Sequence, residues 1–178
     1  MKIYCFGDSN TYGYDARMLI DNRYPPEYRW VDILASRTGW SVLNKGLNGR
    51  EIPPAGIHVP KDTDLLIIML GTNDLLQGND VDAVLVRMKR FLEDTPFSRE
   101  KMLLLSPVPM QLGEWVPKPE LVDQSHKLAE GYRELAASLG IRFADAGEWG
   151  VSLTYDGIHY TEKGQIVFAN RLHAFLTT

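Results

Sequence analysis

The 178-residue chain is 44% hydrophobic and 24% charged, a composition typical of soluble globular proteins, and its length suits one domain spanning 1–178. A formal charge of −4 argues against a nucleic-acid partner, which would favour a basic patch. No run of about 18 apolar residues occurs, so no segment is expected to insert into a membrane.

Strand and helix patterns alternate along the chain. Lys2–Gly7 reads as a first strand, and it holds the only cysteine, Cys5, read as a small buried hydrophobe. Asn10–Glu27 is irregular and carries Tyr12, Tyr14, Tyr24 and Pro25-Pro26. A helix over 28–38 follows from Trp30-Val31, Ile33-Leu34 and Ala35, and then a strand over Ser41–Gly46. Asp64–Gly71 contains six uninterrupted apolar residues, Leu65 to Leu70, the pattern of a strand buried on both faces of a parallel sheet. Val81, Val84-Leu85, Met88 and Phe91-Leu92 give a helical period over 80–94. A fourth strand, Lys101–Pro107, leads into a second irregular segment, Val108–Lys118, with Trp115 and two prolines. A long helix over 119–139, a strand at Ile141–Asp145 and a last helix capped by Thr161 complete the chain. This alternation predicts an α/β fold: a three-layer α/β/α sandwich around a flavodoxin-like five-stranded parallel sheet, order 2-1-3-4-5. The site is expected at the carboxyl ends of the strands, overhung by the two irregular segments.

Chemistry gathers at those ends. Gly7-Asp8-Ser9 closes the first strand, and Asp156-Gly157-Ile158-His159 precedes the last helix. A serine hydroxyl needs an adjacent base. Three residues across a glycine turn let Asp156 reach Nδ1 of His159, leaving Nε2 for Ser9, the tautomer a catalytic triad requires. Acyl transfer also needs oxyanion donors. The Ser9 N–H, Gly49 after the second strand and the Asn73 amide after the third are the candidates. A missing Cβ at Gly49 would permit close backbone approach. Taken singly, each piece also fits an ordinary turn or helix cap. Asn10, Tyr12, Tyr14 and Trp115 are candidate substrate contacts. Of the other histidines, His58 is a secondary substrate candidate in a loop, whereas His126 and His173 sit in helical patterns. No zinc-ligand spacing, GxGxxG, GxxxxGK[ST] or GxSxG pattern occurs, so no metal and no organic cofactor are expected.

Four blocks in this order resemble the SGNH, or GDSL-type, hydrolase superfamily of esterases and lipases. They are Phe6-Gly7-Asp8-Ser9-Asn10-Thr11, Asn44 to Arg50, Gly71-Thr72-Asn73-Asp74 and Asp156-Gly157-Ile158-His159. The resemblance spans nearly the whole chain. It implies Ser9 as nucleophile, His159 as base, Asp156 as its orienting acid, and Ser9, Gly49 and Asn73 as the oxyanion hole. Thr11-Tyr12-Gly13-Tyr14, Arg23-Tyr24-Pro25 with Arg29-Trp30, and Gly46 to Arg50 look most like small bacterial arylesterases and carbohydrate acetylesterases. The arylesterase pattern usually continues with threonine or serine after the arginine, and Glu51-Ile52-Pro53-Pro54 departs from it.

The reading is therefore a serine esterase hydrolysing short-chain carboxylic esters, acetyl to butyryl, of aryl or carbohydrate alcohols through an acyl-enzyme. The partner is a small-molecule ester, and a homo-oligomer stays open. Three rivals share the features: an acyltransferase, a lysophospholipase or thioesterase, and a catalytically silent carbohydrate- or lipid-binding module. Met110, Leu112 and Val116 supply an apolar stretch that would favour longer chains. With Ser9 this close to the start, a cleaved leader has no room, and a cytoplasmic protein is expected.

Overall fold

The computed structural model describes residues 1–18 and 22–178. Five strands pair in parallel in the order β2-β1-β3-β4-β5. They are β1 (Lys2–Gly7), β2 (Ser41–Gly46), β3 (Leu65–Met69), β4 (Met102–Ser106) and β5 (Arg142–Asp145). The order is the one expected, and β3, β4 and β5 are three, two and one residues shorter than the sequence pattern indicates. Six α-helices accompany them among the described residues: α1 (Ser9–Tyr12), α2 (Trp30–Thr38), α3 (Thr72–Leu76), α4 (Val81–Asp94), α5 (Pro119–Leu139) and α6 (Glu162–Thr177). The sequence pattern anticipates the four longer ones. It misses α1 and α3, whose few residues are too short to show a helical period.

Successive strand residues point to opposite faces, so the sheet has two apolar sides. Ile3, Cys5, Ile67, Met69, Leu103 and Leu105 pack against Trp30, Val31 and Leu34 of α2 and Phe168 and Leu172 of α6. Phe6, Leu66, Ile68 and Leu104 pack against Val84, Met88 and Phe91 of α4 and Leu128, Tyr132 and Ala136 of α5. Helices thus cover both faces, which explains the unbroken apolar run in β3. Each such fully buried side chain contributes about 1.5–3 kcal/mol of transfer free energy. Cys5 is buried among these apolar neighbours, and burial pushes its thiol pKa up, consistent with a packing role.

This packing fixes where the loops emerge. Gly7 at the end of β1 pairs with Gly46 of β2 on one side and Met69 of β3 on the other. The segments that follow these three strands therefore leave the sheet side by side. Among the described residues, no helix is long and apolar enough to cross a membrane.

Candidate active site

Asp8 caps α1, its carboxylate accepting the Asn10 N–H at 2.9 Å, so Ser9 becomes the first helical residue at the carboxyl end of β1. Its hydroxyl lies 2.9 Å from Nε2 of His159. Nδ1 of the same ring lies 2.6 Å from Asp156 Oδ2. All three side chains are buried: Ser9 is 6%, His159 3% and Asp156 0% exposed. The other Asp156 oxygen accepts from Thr154 Oγ1 at 2.8 Å and from the backbone N–H groups of Ile158 and His159 at 2.9 and 3.0 Å. Burial opposes the charge on Asp156. The His159 ring N–H and the two backbone donors outweigh it and hold the carboxyl at about 2. The carboxylate thus stays ionised at neutral pH and orients the imidazole with Nε2 toward Ser9, as proton abstraction from the hydroxyl requires.

The turn that carries the pair depends on Gly157. Its φ is +82°, and a Cβ there would meet the Gln111 carbonyl at 2.1 Å. The same carbonyl-lined turn seats the Val108–Lys118 segment. Gln111 N–H donates to Gly157 O, Glu114 N–H to Tyr155 O and Trp115 N–H to Asp156 O. Trp115 is thereby set edge-on to the His159 ring at 5.3 Å, and Tyr14 packs on that ring at 4.4 Å.

Gly49 lies after β2 and Asn73 in the first turn of α3. Both line the same cavity of about 340 Å³ as Ser9 and His159, together with Tyr14, Asn48, Leu76, Trp115 and Ile158. Asn73 Nδ2 donates to Arg50 O at 3.1 Å, which uses one amide hydrogen and leaves the other for the cavity. Gly49 has a backbone reason to be glycine as well. Nothing lies within 4 Å of a Cβ built there, and its φ of +71° is what calls for glycine. The departure at Glu51-Ile52 has a structural use. Ile52 is buried, its N–H reaches Asp74 Oδ2 at 3.1 Å, and Arg87 bonds Glu51 Oε2, Asp74 Oδ1 and Ile52 O, each at 2.9 Å. These bonds tie the Gly49 loop to α3 and α4.

Two expected substrate contacts are placed otherwise. Asn10 is buried with both ends of its amide bonded within the protein: Nδ2 donates to Ile158 O at 3.1 Å and Oδ1 accepts from Tyr160 N–H at 3.0 Å. It clips the segment bearing His159 onto the helix bearing Ser9. Tyr12 stacks under the Arg23 guanidinium at 4.2 Å and does not line the cavity. Tyr24 is in the core with its hydroxyl on Tyr160 O. Of the two irregular segments, only Tyr14 and Trp115 supply rings to the cavity wall; residues 19–21 of the first lie outside the described residues. Met110 and Val116 are core residues and Leu112 is solvent-exposed, so none of the three lines the cavity. His58 and His126 are exposed, and His173 packs at 5.9 Å from Trp40. Sequence reasoning missed Asn48, Leu76 and Ile158 as wall residues and Thr154 as a partner of Asp156. Leu76 and Ile158 read simply as apolar positions beside a motif, and Thr154 carries no spacing signal. Among the described residues, no group of three or more His, Cys, Asp or Glu side chains is arranged to hold a metal.

Asp8 offers a test of the local electrostatics. It is 2% exposed, and burial lifts its carboxyl from 3.8 to about 6 against the Asn10 N–H and the fields of His159 and Arg50. Because the folded value is the higher one, the native state binds more protons than the unfolded chain between those two values. Stability from this group therefore falls as pH rises through that window. Asp8→Asn keeps an acceptor for the Asn10 N–H. It is expected to raise stability at pH 7 by on the order of 1–3 kcal/mol and to flatten the fall between about pH 4 and 6. Urea midpoints across that range would show it; an unchanged pH slope in the variant would rule out Asp8 as the titrating group.

Residues 5–166 match the model of the GDSL-like lipase/acylhydrolase family. The chain belongs to this family. Its class is accordingly that of a carboxylic ester hydrolase. No curated protein matches. Among solved structures, this family member is similar to a carbohydrate acetylesterase family member from Sinorhizobium meliloti, at 26% identity and TM-score 0.81 over 99% of this chain and 97% of the other. It is similar to a putative arylesterase from Agrobacterium tumefaciens at 28% identity and TM-score 0.81, over 99% of each chain. The native aryl esterase of M. smegmatis matches at 27% identity and TM-score 0.78, over 99% of this chain and 98% of the other.

Proposed function

We propose that this protein is a serine esterase that hydrolyses short-chain esters, acetyl to butyryl, of aryl or carbohydrate alcohols through an acyl-enzyme. The observation that carries the reading is the continuous hydrogen-bonded line Asp156–His159–Ser9, with distances of 2.6 and 2.9 Å, opening into a cavity that Gly49 and Asn73 also line. His159 Nε2 takes the Ser9 proton as Oγ adds to the ester carbonyl. The Ser9 and Gly49 N–H groups and the Asn73 amide hold the oxyanion. Collapse breaks the bond to the alcohol oxygen, which receives the proton from His159. Water, deprotonated by His159, then attacks the acyl-enzyme and releases the acid and free Ser9.

Similarity to an acetylesterase family member and to aryl esterases supports the substrate class. A small cavity bounded by Leu76, Ile158, Tyr14 and Trp115 supports the short acyl group. A cytoplasmic setting fits the single, buried Cys5 and belongs to the same proposal. The test is a series of p-nitrophenyl esters from acetyl to decanoyl, each below its micelle-forming concentration, with acetylated sugars alongside. In an open groove each added methylene would contribute about 0.8 kcal/mol and kcat/KM would climb. In this cavity kcat/KM is expected to fall beyond about four carbons, at an overpacking cost of order 1–3 kcal/mol. An optimum at octanoyl or longer would favour the lysophospholipase or thioesterase alternative.

A further inference from the structure

Arg50 is not among the residues that wall the cavity, yet it bonds next to each candidate oxyanion donor: to Gly7 ahead of Ser9, to Asn73, and as the residue after Gly49. Its Nη1 donates to the Gly7 carbonyl at 2.9 Å, at the end of β1 and two residues before Ser9. The same nitrogen bonds Lys45 O at the end of β2. Leu47 N–H also converges on Gly7 O, at 3.2 Å, so the start of the Gly49 loop and the Arg50 side chain share one anchor. Arg50 follows Gly49 directly, so its backbone N–H, held on Leu47 O at 3.2 Å, closes the turn in which Gly49 adopts positive φ. Its carbonyl accepts one hydrogen of the Asn73 amide at 3.1 Å. The guanidinium itself is fixed over the Phe6 ring at 4.1 Å, and Phe6 stacks on Phe91 of α4.

We propose that Arg50 is a positioning residue for ester hydrolysis, which sets the Gly49 N–H and the Asn73 amide relative to Ser9. The physical reason is that an oxyanion hole acts through preorganisation: its donors gain most when they need not move as charge develops. The Gly49 loop has no regular structure of its own, and Gly49 is backed by no atom within 4 Å of its Cβ position. Its placement therefore depends on the bonds at its two ends. Asp74 and Arg87 hold the distal end, and the Arg50 side chain holds the end nearest Ser9. A planar guanidinium stacked on an aromatic face is well suited to this, whereas a flexible ammonium would be held less firmly.

The inference rests on Ser9, Gly49 and Asn73 having the roles proposed above, and its test separates the two. Purified wild type is first treated with diethyl p-nitrophenyl phosphate; failure to label Ser9 overturns both the esterase reading and this inference. With labelling established, kcat and KM on p-nitrophenyl acetate are measured for Arg50→Met, Arg50→Lys, Asn73→Ala and Arg50→Met/Asn73→Ala, with urea midpoints for each. Arg50→Met is expected to lower kcat about 10–100-fold with KM within about threefold, because the donors act on charge present only in the transition state. Arg50→Lys is expected to recover part of the loss. In the Asn73→Ala background the same Arg50 change should cost less than about fivefold, since coupled groups are not additive. Independent, additive losses, or a change confined to KM, would overturn the inference while leaving the Ser9 assignment intact. If Arg50→Met does not fold, the cycle is read with Arg50→Lys, and additivity there overturns the inference equally.

Discussion

Ser9→Ala is expected to abolish ester hydrolysis, with kcat lost by on the order of 10⁶-fold, the scale seen when a triad nucleophile is removed. Among the described residues, Ser9 Oγ has one hydrogen-bond partner, Nε2 of His159, and the cap of α1 falls to Asp8. Alanine has no unfavourable helix propensity, so the fold should be kept. Backbone bonds that hold the turn, from Gly13 and Tyr14 N–H to Ser9 O at 3.0 Å, do not involve the side chain. Circular dichroism and a urea midpoint near that of wild type would establish an intact fold, and p-nitrophenyl acetate turnover would read the loss. Some rate above that of water is expected to persist, because donors that stabilise the oxyanion remain. Wild-type turnover in a contaminant-free Ser9→Ala preparation would remove Ser9 from the mechanism altogether.

Asn73→Ala is expected to lower kcat by about 10²–10³, or roughly 2.7–4 kcal/mol, with little change in KM. Among the described residues the side chain makes one bond, to Arg50 O, and it lines the cavity beside Ser9. Loss of that single bond affects stability by about 1 kcal/mol, far less than the catalytic effect, so the two are separable. Asn73 is also the second residue of α3, where alanine is well tolerated. An effect confined to KM would mean that Asn73 only positions substrate. A loss of kcat matched by a collapsed urea midpoint would mean that it chiefly holds the Gly49 loop.

Residue type and local spacing determined much of this protein. Burial on both faces could be read from Leu65 to Leu70 because an uninterrupted apolar run of strand length has no solvent side. Alternation of such runs with helical periods indicated a parallel sheet, since parallel neighbours need crossovers, and the family blocks implied its order. Asp156 and His159 were legible as a pair because three residues around a positive-φ glycine bring the two side chains together within one turn. The family blocks were legible for the same reason: each is a short segment whose chemistry is local.

Contacts between distant segments were decided only in three dimensions. Asn10 and Ile158 are 148 positions apart, and nothing near Asn10 says that its amide will bond the Ile158 carbonyl and the Tyr160 N–H instead of a ligand. Tyr12 and Tyr14 are two residues apart, yet one ring lies under Arg23 and the other on His159, because the bridge from Tyr14 to Arg23 orients the chain after α1. Met110 and Val116 looked like a groove and became core, while the exposure of Trp115 at 49% follows from its loop's bonds to the Asp156 turn. Glu51-Ile52 departed from the family pattern on paper. Its purpose appeared once Asp74 and Arg87 were brought against it by the packing of α3 and α4 beside the sheet. A sequence states which groups a segment carries and how that segment repeats. Which of them meet across the chain depends on how helices and strands pack on the two faces of the sheet, and that packing brings Ser9 and His159, 150 residues apart, to 2.9 Å.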